Sequence, residues 1–269
     1  MIAAIEITTW QIALAALLIL INGIVSFRFR LGMERTLVFA AIRTVVQLWL
    51  LGLILTWVFE LKSWWLVLSI AAVMTTIAGW TAASRPKYRF PGMRRLTLAA
   101  VWASSWLLTG YVICLLMADL RSWYDPQYLI PLLGMVLGNT LNGISVALSS
   151  LVESMSRRRV EVETLTALGA TRMEASADAM RDAIRTGMIP IINSMMVVGL
   201  VSMPGMMTGQ VIAGMDPAQA IRYQIVIMFI IAAATAAGTV SVVYLATWKL
   251  FGPDHRFRYE VLLEREKQT

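Results

Sequence analysis

Long apolar runs without charge constrain this chain more than any other feature. Seven follow one another, roughly from Trp10 to Phe27, Thr36 to Phe59, Trp64 to Ala83, Leu96 to Ala118, Leu129 to Val152, Thr186 to Ala213 and Tyr223 to Trp248. A helix rises about 1.5 Å per residue, so about 18–20 apolar residues cross the ~30 Å hydrocarbon core. The closed β-barrel alternative needs strict alternation in blocks of about ten residues, and that pattern is absent. Only 14% of the residues are charged and 58% are hydrophobic, against about 25% charged in a soluble domain. The expected fold is all-α: a polytopic integral membrane protein with seven transmembrane helices, forming one membrane domain over residues 1–269. Two longer stretches lie outside the runs, a loop at 153–185 and a tail at 249–269.

Basic residues set the orientation, because Lys and Arg accumulate in cytoplasmic loops. Arg28, Arg30 and Arg35 follow the first run. Arg85, Lys87, Arg89, Arg94 and Arg95 follow the third. Arg157, Arg158, Arg159, Arg172, Arg181 and Arg185 follow the fifth, and Lys249, Arg256, Arg258, Arg265 and Lys267 follow the seventh. These are 19 of the 23 basic residues. The opposite loops hold Lys62, Arg121 and Arg222, while Arg43 lies inside a run. The pattern predicts an N-out, C-in chain whose 153–185 loop is cytoplasmic. It also accounts for the net charge of +7 as a topology signal and an anionic-lipid contact, without nucleic acid. No Lys or Arg precedes the first run, and Glu6 stands there instead. Secretory signals carry a basic start, so the first run is expected to be a retained span.

Several chemistries are excluded. One cysteine, Cys114, and one histidine, His255, rule out an intrachain disulfide, a CxxC pair and a His/Cys metal cluster within one chain. No nucleophile–base pair or metal triad can be assembled, so no catalytic residue is assigned. A phosphate-binding loop needs glycine directly before lysine. Lys62, Lys87, Lys249 and Lys267 all lack it. No cofactor is expected in this chain, and any ATP hydrolysis belongs to a partner.

The 153–185 loop carries its own structure. From Arg157 to Leu168 it lacks Gly and Pro, and Val160, Leu165 and Leu168 share part of one helical face. Gly169 supplies a stop, since glycine alone enters the left-handed cap conformation freely. Thr171 and Glu174 form a capping box that starts a second helix. Met173, Ala177, Met180, Ile184 and Met188 then form an apolar stripe running into the sixth span. Such a segment suits an amphipathic helix lying on the membrane or a docking surface.

Glu163 and Gly169, continued by Ala170 and Thr171, are spaced like the glutamate and glycine of the EAA loop of ATP-binding-cassette importer permeases. The next proline, Pro190, falls well beyond the place where that motif closes. The wider chain resembles a different group. Gly134-Met-Val-Leu-Gly-Asn-Thr-Leu-Asn142 and the Met/Gly/Pro-rich stretch from Gly199 to Gln224 are similar to the iron-export ABC permease family, which includes plant aluminium-tolerance permeases. The resemblance covers nearly the whole chain. It implies a transmembrane permease subunit in the bacterial inner membrane, working as a homodimer with a separate ATP-binding subunit and exporting iron or another metal ion. It also implies that Glu163, Leu165, Leu168, Gly169, Ala170, Thr171 and Glu174 receive the ATPase. A stand-alone secondary transporter or channel, and a non-transporting scaffold that docks a protein through the same loop, are the rival classes. No Asp or Glu lies well inside a run, which speaks against proton coupling.

Candidate path residues are polar or helix-breaking groups at membrane depth. Pro204 beside Gly205 removes a backbone hydrogen bond and breaks or kinks the sixth span. Met203, Met206 and Met207 surround it; thioethers suit Cu(I) better than Fe(II), or they simply pack. Asn139 and Asn142 bond between helices or line a polar path, and Gly134 with Gly138 permits close helix approach. Arg43 and Gln47 share a face of the second span. A mid-membrane arginine costs about 2.5–3.5 kcal/mol, but Arg43 lies near enough to one end to snorkel. Asn193 and Ser194 are further polar candidates. Asp216 and Pro217 read as the cap and first residue of the last helix. No metal ligand is assigned, and the residues alone do not name the cargo.

Overall fold

Apolar runs fold to helices because hydrocarbon offers the backbone no other hydrogen-bond partner. The computed structural model describes residues 8–61, 63–116 and 125–264. Glu6, Lys62, Arg121, Arg265, Lys267 and the expected span end at Ala118 lie outside the described residues. The helices are α1 (Thr9–Arg28), α2 (Glu34–Leu61), α3 (Trp64–Ser84), α4 (Met93–Leu116), α5 (Pro126–Arg157), α6 (Arg159–Ala167), α7 (Arg172–Ala175), α8 (Ala177–Val197), α9 (Gly205–Ile212) and α10 (Pro217–Leu250). Strands β1 (Tyr88–Arg89) and β2 (Leu263–Glu264) form a two-residue antiparallel pairing, Tyr88 opposite Glu264 and Arg89 opposite Leu263. The architecture is all-α and polytopic. Among the described residues, six helices are long and apolar enough to cross a membrane: α1 to α5 and α10.

The expected sixth span, Thr186 to Ala213, is not one helix. It divides into the end of α8 and all of α9, with a turn from Val198 to Pro204 between them. Gly199 takes φ +80°, Gly199 N–H donates to Ser202 O at 2.9 Å, and Pro204 caps α9. Pro204 therefore starts a helix after a break and does not kink a continuous one. The helix does run through Pro190. Asp216 and Pro217 do begin α10, with the Asp216 carboxylate accepting from Gln219 N–H at 3.1 Å.

The chain forms two compact units, Met1–Ser63 and Trp64–Thr269. In the first, α1 and α2 form a hairpin. Its turn is tied by Ser26, whose hydroxyl donates to Glu34 at 3.0 Å and accepts from Met33 N–H at 3.1 Å. Most other side chains of the pair are exposed, Arg43 and Gln47 included.

In the second unit, α5 is the central helix and packs against α3, α4, α8 and α10. Closest approach occurs at glycines that are not the expected pair. A methyl group built on Gly187 would lie 2.8 Å from Gly143 O and 2.7 Å from Ala147 Cβ. One on Gly143 would lie 2.5 Å from Thr235 Cγ2, and one on Gly238 2.8 Å from Thr140 Cγ2. α5, α8 and α10 thus meet along a seam of Gly, Ala and Thr, where van der Waals contact between backbones drives association. Gly138 has open space within 4 Å, and Gly134 meets only the tip of Met74 at 3.4 Å. The buried face of α8 is Ala179, Met180, Ala183, Gly187 and Ile191. Of the expected stripe, Met180 is buried, while Met173, Ile184 and Met188 pack at the edge of the cores; the deepest face is built of small residues because the partner surface is small as well.

Gly187→Val should therefore destabilise the protein by about 1–3 kcal/mol or more through overpacking. Gly138→Ala should change stability by no more than about 0.5 kcal/mol. Denaturant unfolding of both variants in detergent checks the contrast.

Candidate functional site

Two places gather the candidate residues: the turn between α6 and α8, and a cavity beside the break between α8 and α9.

The turn begins where α5 ends. Arg158 joins α5 to α6, and its guanidinium lies 3.8 Å from Asp178 and 3.6 Å from Asp182 on α8. α6 stops at Gly169, which takes φ +94°, while Ala170 N–H donates back to Leu165 O at 3.0 Å. Thr171 and Glu174 form a reciprocal cap. Thr171 N–H and its hydroxyl donate to Glu174 at 2.8 and 2.7 Å, and Glu174 N–H donates to Thr171 Oγ1 at 3.3 Å. These bonds, the backbone one foremost, lower the Glu174 pKa below its ordinary value of 4.5. The second helix is not continuous from Thr171 as expected. It breaks at Ser176, whose hydroxyl bonds back to Arg172 O at 2.6 Å, so α7 and α8 are separate pieces.

Leu165, Ala170 and Met173 pack against the main core, anchored by Val162 at 2% exposure. Glu163 is half-buried and accepts from Arg159 Nε at 2.8 Å, a bond that raises the Arg159 pKa further. Outward, with the exposed Thr171 and Glu174, stand Val160 at 75% exposure, Leu168 at 80%, and Gly169. Of the expected face of Val160, Leu165 and Leu168, only Leu165 turns inward.

The segment after α10 braces this turn, which sequence reasoning missed. Phe251 and Phe257 bridge to each other and are buried, and Phe257 meets Tyr259 edge-on. The Arg159 guanidinium lies 4.1 Å from the Tyr259 ring centroid, and that of Arg172 lies 3.8 Å from Trp248. His255 Nδ1 accepts from Arg172 N–H at 3.2 Å, taking up a free donor of the first turn of α7. The aromatic spacing after Lys249 was the available signal. A polar tail with one histidine gave no periodicity to read.

The cavity, of about 200 Å³, is lined by α5, α8, α10 and the 198–204 turn. It brings together Asn139, Ser194, Met203 and Pro204 from the sequence candidates and adds Met135, Ser202, Gln224 and Met228. Asn139 donates to Met135 O at 2.9 Å. Gln224 is 7% exposed, and its carbonyl oxygen has no hydrogen-bond partner among the described residues. No charged side chain is among the described residues of the lining. Asn142 is elsewhere, accepting from Arg85 at 2.7 Å. Asn193 is exposed, and Met206 and Met207 are half-buried outside the lining. Arg43 and Gln47 belong to the other unit. Gln224 was legible as an amide inside the last apolar run, but only the fold shows that it faces the break.

A helical bundle with several membrane-crossing elements, a capped turn at one end and a largely apolar, uncharged cavity with a few amides and hydroxyls at the other defines a multi-pass membrane protein. The chain belongs to UPF0014, an uncharacterised protein family whose profile matches residues 9–251. It is 42% identical to the UPF0014 membrane protein slr1647 of Synechocystis sp., over 79% of this chain and 82% of that one. It is 30% identical to the probable iron export permease protein FetB of Escherichia coli, over 93% and 95%. It is 33% identical to the UPF0014 membrane protein STAR2 of Oryza sativa subsp. japonica, over 84% and 77%. No solved structure matches the chain.

The cap makes a pH-dependent contribution of known sign. Because the folded-state pKa of Glu174 is lowered, the contribution is complete above 4.5 and is lost as pH falls through the folded value. Protection of the 169–176 amides from hydrogen exchange should fall on acidification below that range. Thr171→Ala should remove about 1 kcal/mol of local stability at neutral pH and flatten this pH response.

Proposed function

We propose that the chain is the transmembrane permease subunit of an ATP-binding-cassette transporter that exports iron or another metal ion. Two copies pair with two separate ATP-binding subunits in the bacterial inner membrane. Each copy crosses seven times, N-out and C-in, with α8, the 198–204 turn and α9 making the broken sixth crossing. The single observation that carries this reading is that α8, entered from the capped turn through the short α7, runs to the cavity. Its 21 residues make a lever about 30 Å long. The partner ATPase presses on the exposed Val160, Leu168 and Gly169 turn. The cap, the Arg158 ion pairs and the aromatic brace keep that turn from yielding locally, so the displacement passes to α8. At its far end the break at 198–204 and the Gln224, Asn139 and Met203 lining change shape. Iron as cargo is supported by the similarity to FetB of Escherichia coli, a probable iron export permease.

Flux of iron, other metals and small organic solutes into vesicles, with and without the ATP-binding subunit, tests the reading. ATP-dependent metal flux is expected only with both subunits; flux without the ATPase, driven by an ion gradient, would overturn it. Gly169→Val forces a β-branched residue to φ +94°, and Glu163→Lys breaks the pairing with Arg159. Each should lower coupled flux by about tenfold or more while leaving the fold intact.

The orientation has its own check in a Cys114→Ser background. A membrane-impermeant maleimide added to intact cells should label an Ala218→Cys variant, in the exposed first turn of α10, and spare a Val160→Cys variant. The reverse pattern would invert the topology.

A further inference from the structure

A basic pocket lies at the other end of the second unit's helices, away from the cavity and unused by the proposed transport cycle. It holds about 560 Å³ between the end of α3, the start of α4 and the last turn of α10. Arg94, Arg95 and Lys249 line it together with Arg89, which is already engaged and donates to Ser84 O at 3.0 Å, and no carboxylate is among the described residues of the lining. Like charges gathered around one space repel, and an anion in that space relieves the repulsion.

The pocket is built by the backbone. Gly92 takes φ +87°, and a methyl group there would lie 3.5 Å from Lys249 Cε. That distance is ordinary contact, so it is the left-handed backbone that glycine serves here, with the lysine stem lying beside the loop. Arg94 is held over the indole of Trp80, 4.6 Å from its centroid, and Trp80 is exposed near the end of α3. An exposed tryptophan at the end of a spanning helix marks the headgroup level of a bilayer.

We propose that this pocket is a phosphate-recognition site at the bilayer surface, filled by the headgroup of an anionic phospholipid. A phosphodiester offers a negative charge and acceptor oxygens only, matching arginine forks and an ammonium group. The pocket opens at the ends of α3 and α4, both long and apolar enough to span, which sets a lipid headgroup beside it with its tails in the hydrocarbon. Basic pockets between helix ends bind headgroups on this principle.

The test uses the purified full-length chain in phosphatidylcholine nanodiscs, titrated with phosphatidylglycerol. Phosphatidylglycerol should bind and raise the melting midpoint. Inorganic phosphate should neither protect nor compete. Arg95→Gln combined with Lys249→Gln should weaken phosphatidylglycerol binding by roughly 30-fold, at about fivefold per basic residue. Arg95→Lys with Lys249→Arg, which keeps both charges, should retain most of the affinity. Arg157→Gln with Arg181→Gln removes as much charge outside the pocket and should change it little. Equal loss in the two charge-removing pairs would overturn the site in favour of general surface charge. Protection by inorganic phosphate alone would overturn the lipid assignment and point to a soluble phosphate compound. A photoactivatable phosphatidylglycerol on the unmodified protein gives a readout that no folding defect can mask. Crosslinks within residues 80–95 or at Lys249 support the proposal, and crosslinks confined to other segments refute it.

Discussion

The approach of α5 to α8 at Gly143 and Gly187 is the contact on which the rest depends. With Gly187 Cα against the α5 backbone and Gly238 of α10 against Thr140, three helices come closer than any pair of side chains would allow. In hydrocarbon, burying a leucine between helices gains little, because lipid is as apolar as the neighbour it displaces. Close backbone contact is what remains. The seam sets the crossing of α8, and that crossing decides where both of its ends lie.

Those ends differ in character. At the turn end, α8 is held by several interactions of modest individual strength. The ion pairs of Arg158 are partly exposed, and such pairs are worth about 0–1 kcal/mol each. The cap adds about 1 kcal/mol. Burial of Val162, Leu165 and the Phe251–Phe257 pair carries the larger part, since apolar area outside the bilayer is removed from water. Only at the tip do apolar side chains remain outward. At the cavity end the order is reversed. The backbone is broken, glycines are frequent, and the polar groups are amides and hydroxyls without formal charge. A charge there would cost several kcal/mol, whereas an amide finds partial compensation in neighbouring carbonyls.

The same economy explains where charge does collect. Arginines and lysines stand at helix ends, where their stems lie along apolar surface and their heads reach water or headgroups. Arg172 and Arg94 go further and stack on Trp248 and Trp80. One stack stiffens the turn and the other walls the basic pocket, so the same kind of pairing serves two sites at one end of the bundle.

The sequence by itself determined the all-α class, most helix bounds, the Gly169 stop, the Thr171–Glu174 cap and the Asp216–Pro217 start. All of these depend on neighbours within a turn or two, because hydrocarbon transfer, capping and left-handed φ are local properties. Tertiary structure decided which glycines form the seam, which face of α8 is buried, that the sixth run is broken over Val198–Pro204, and that the segment after α10 folds back on the turn. It also chose Asn139 over Asn142 and Asn193, and added Gln224. Each of these is a meeting between residues far apart in the chain. A residue such as Gln224 carries the same amide wherever it stands; the packing of α5, α8 and α10 turns it toward a cavity.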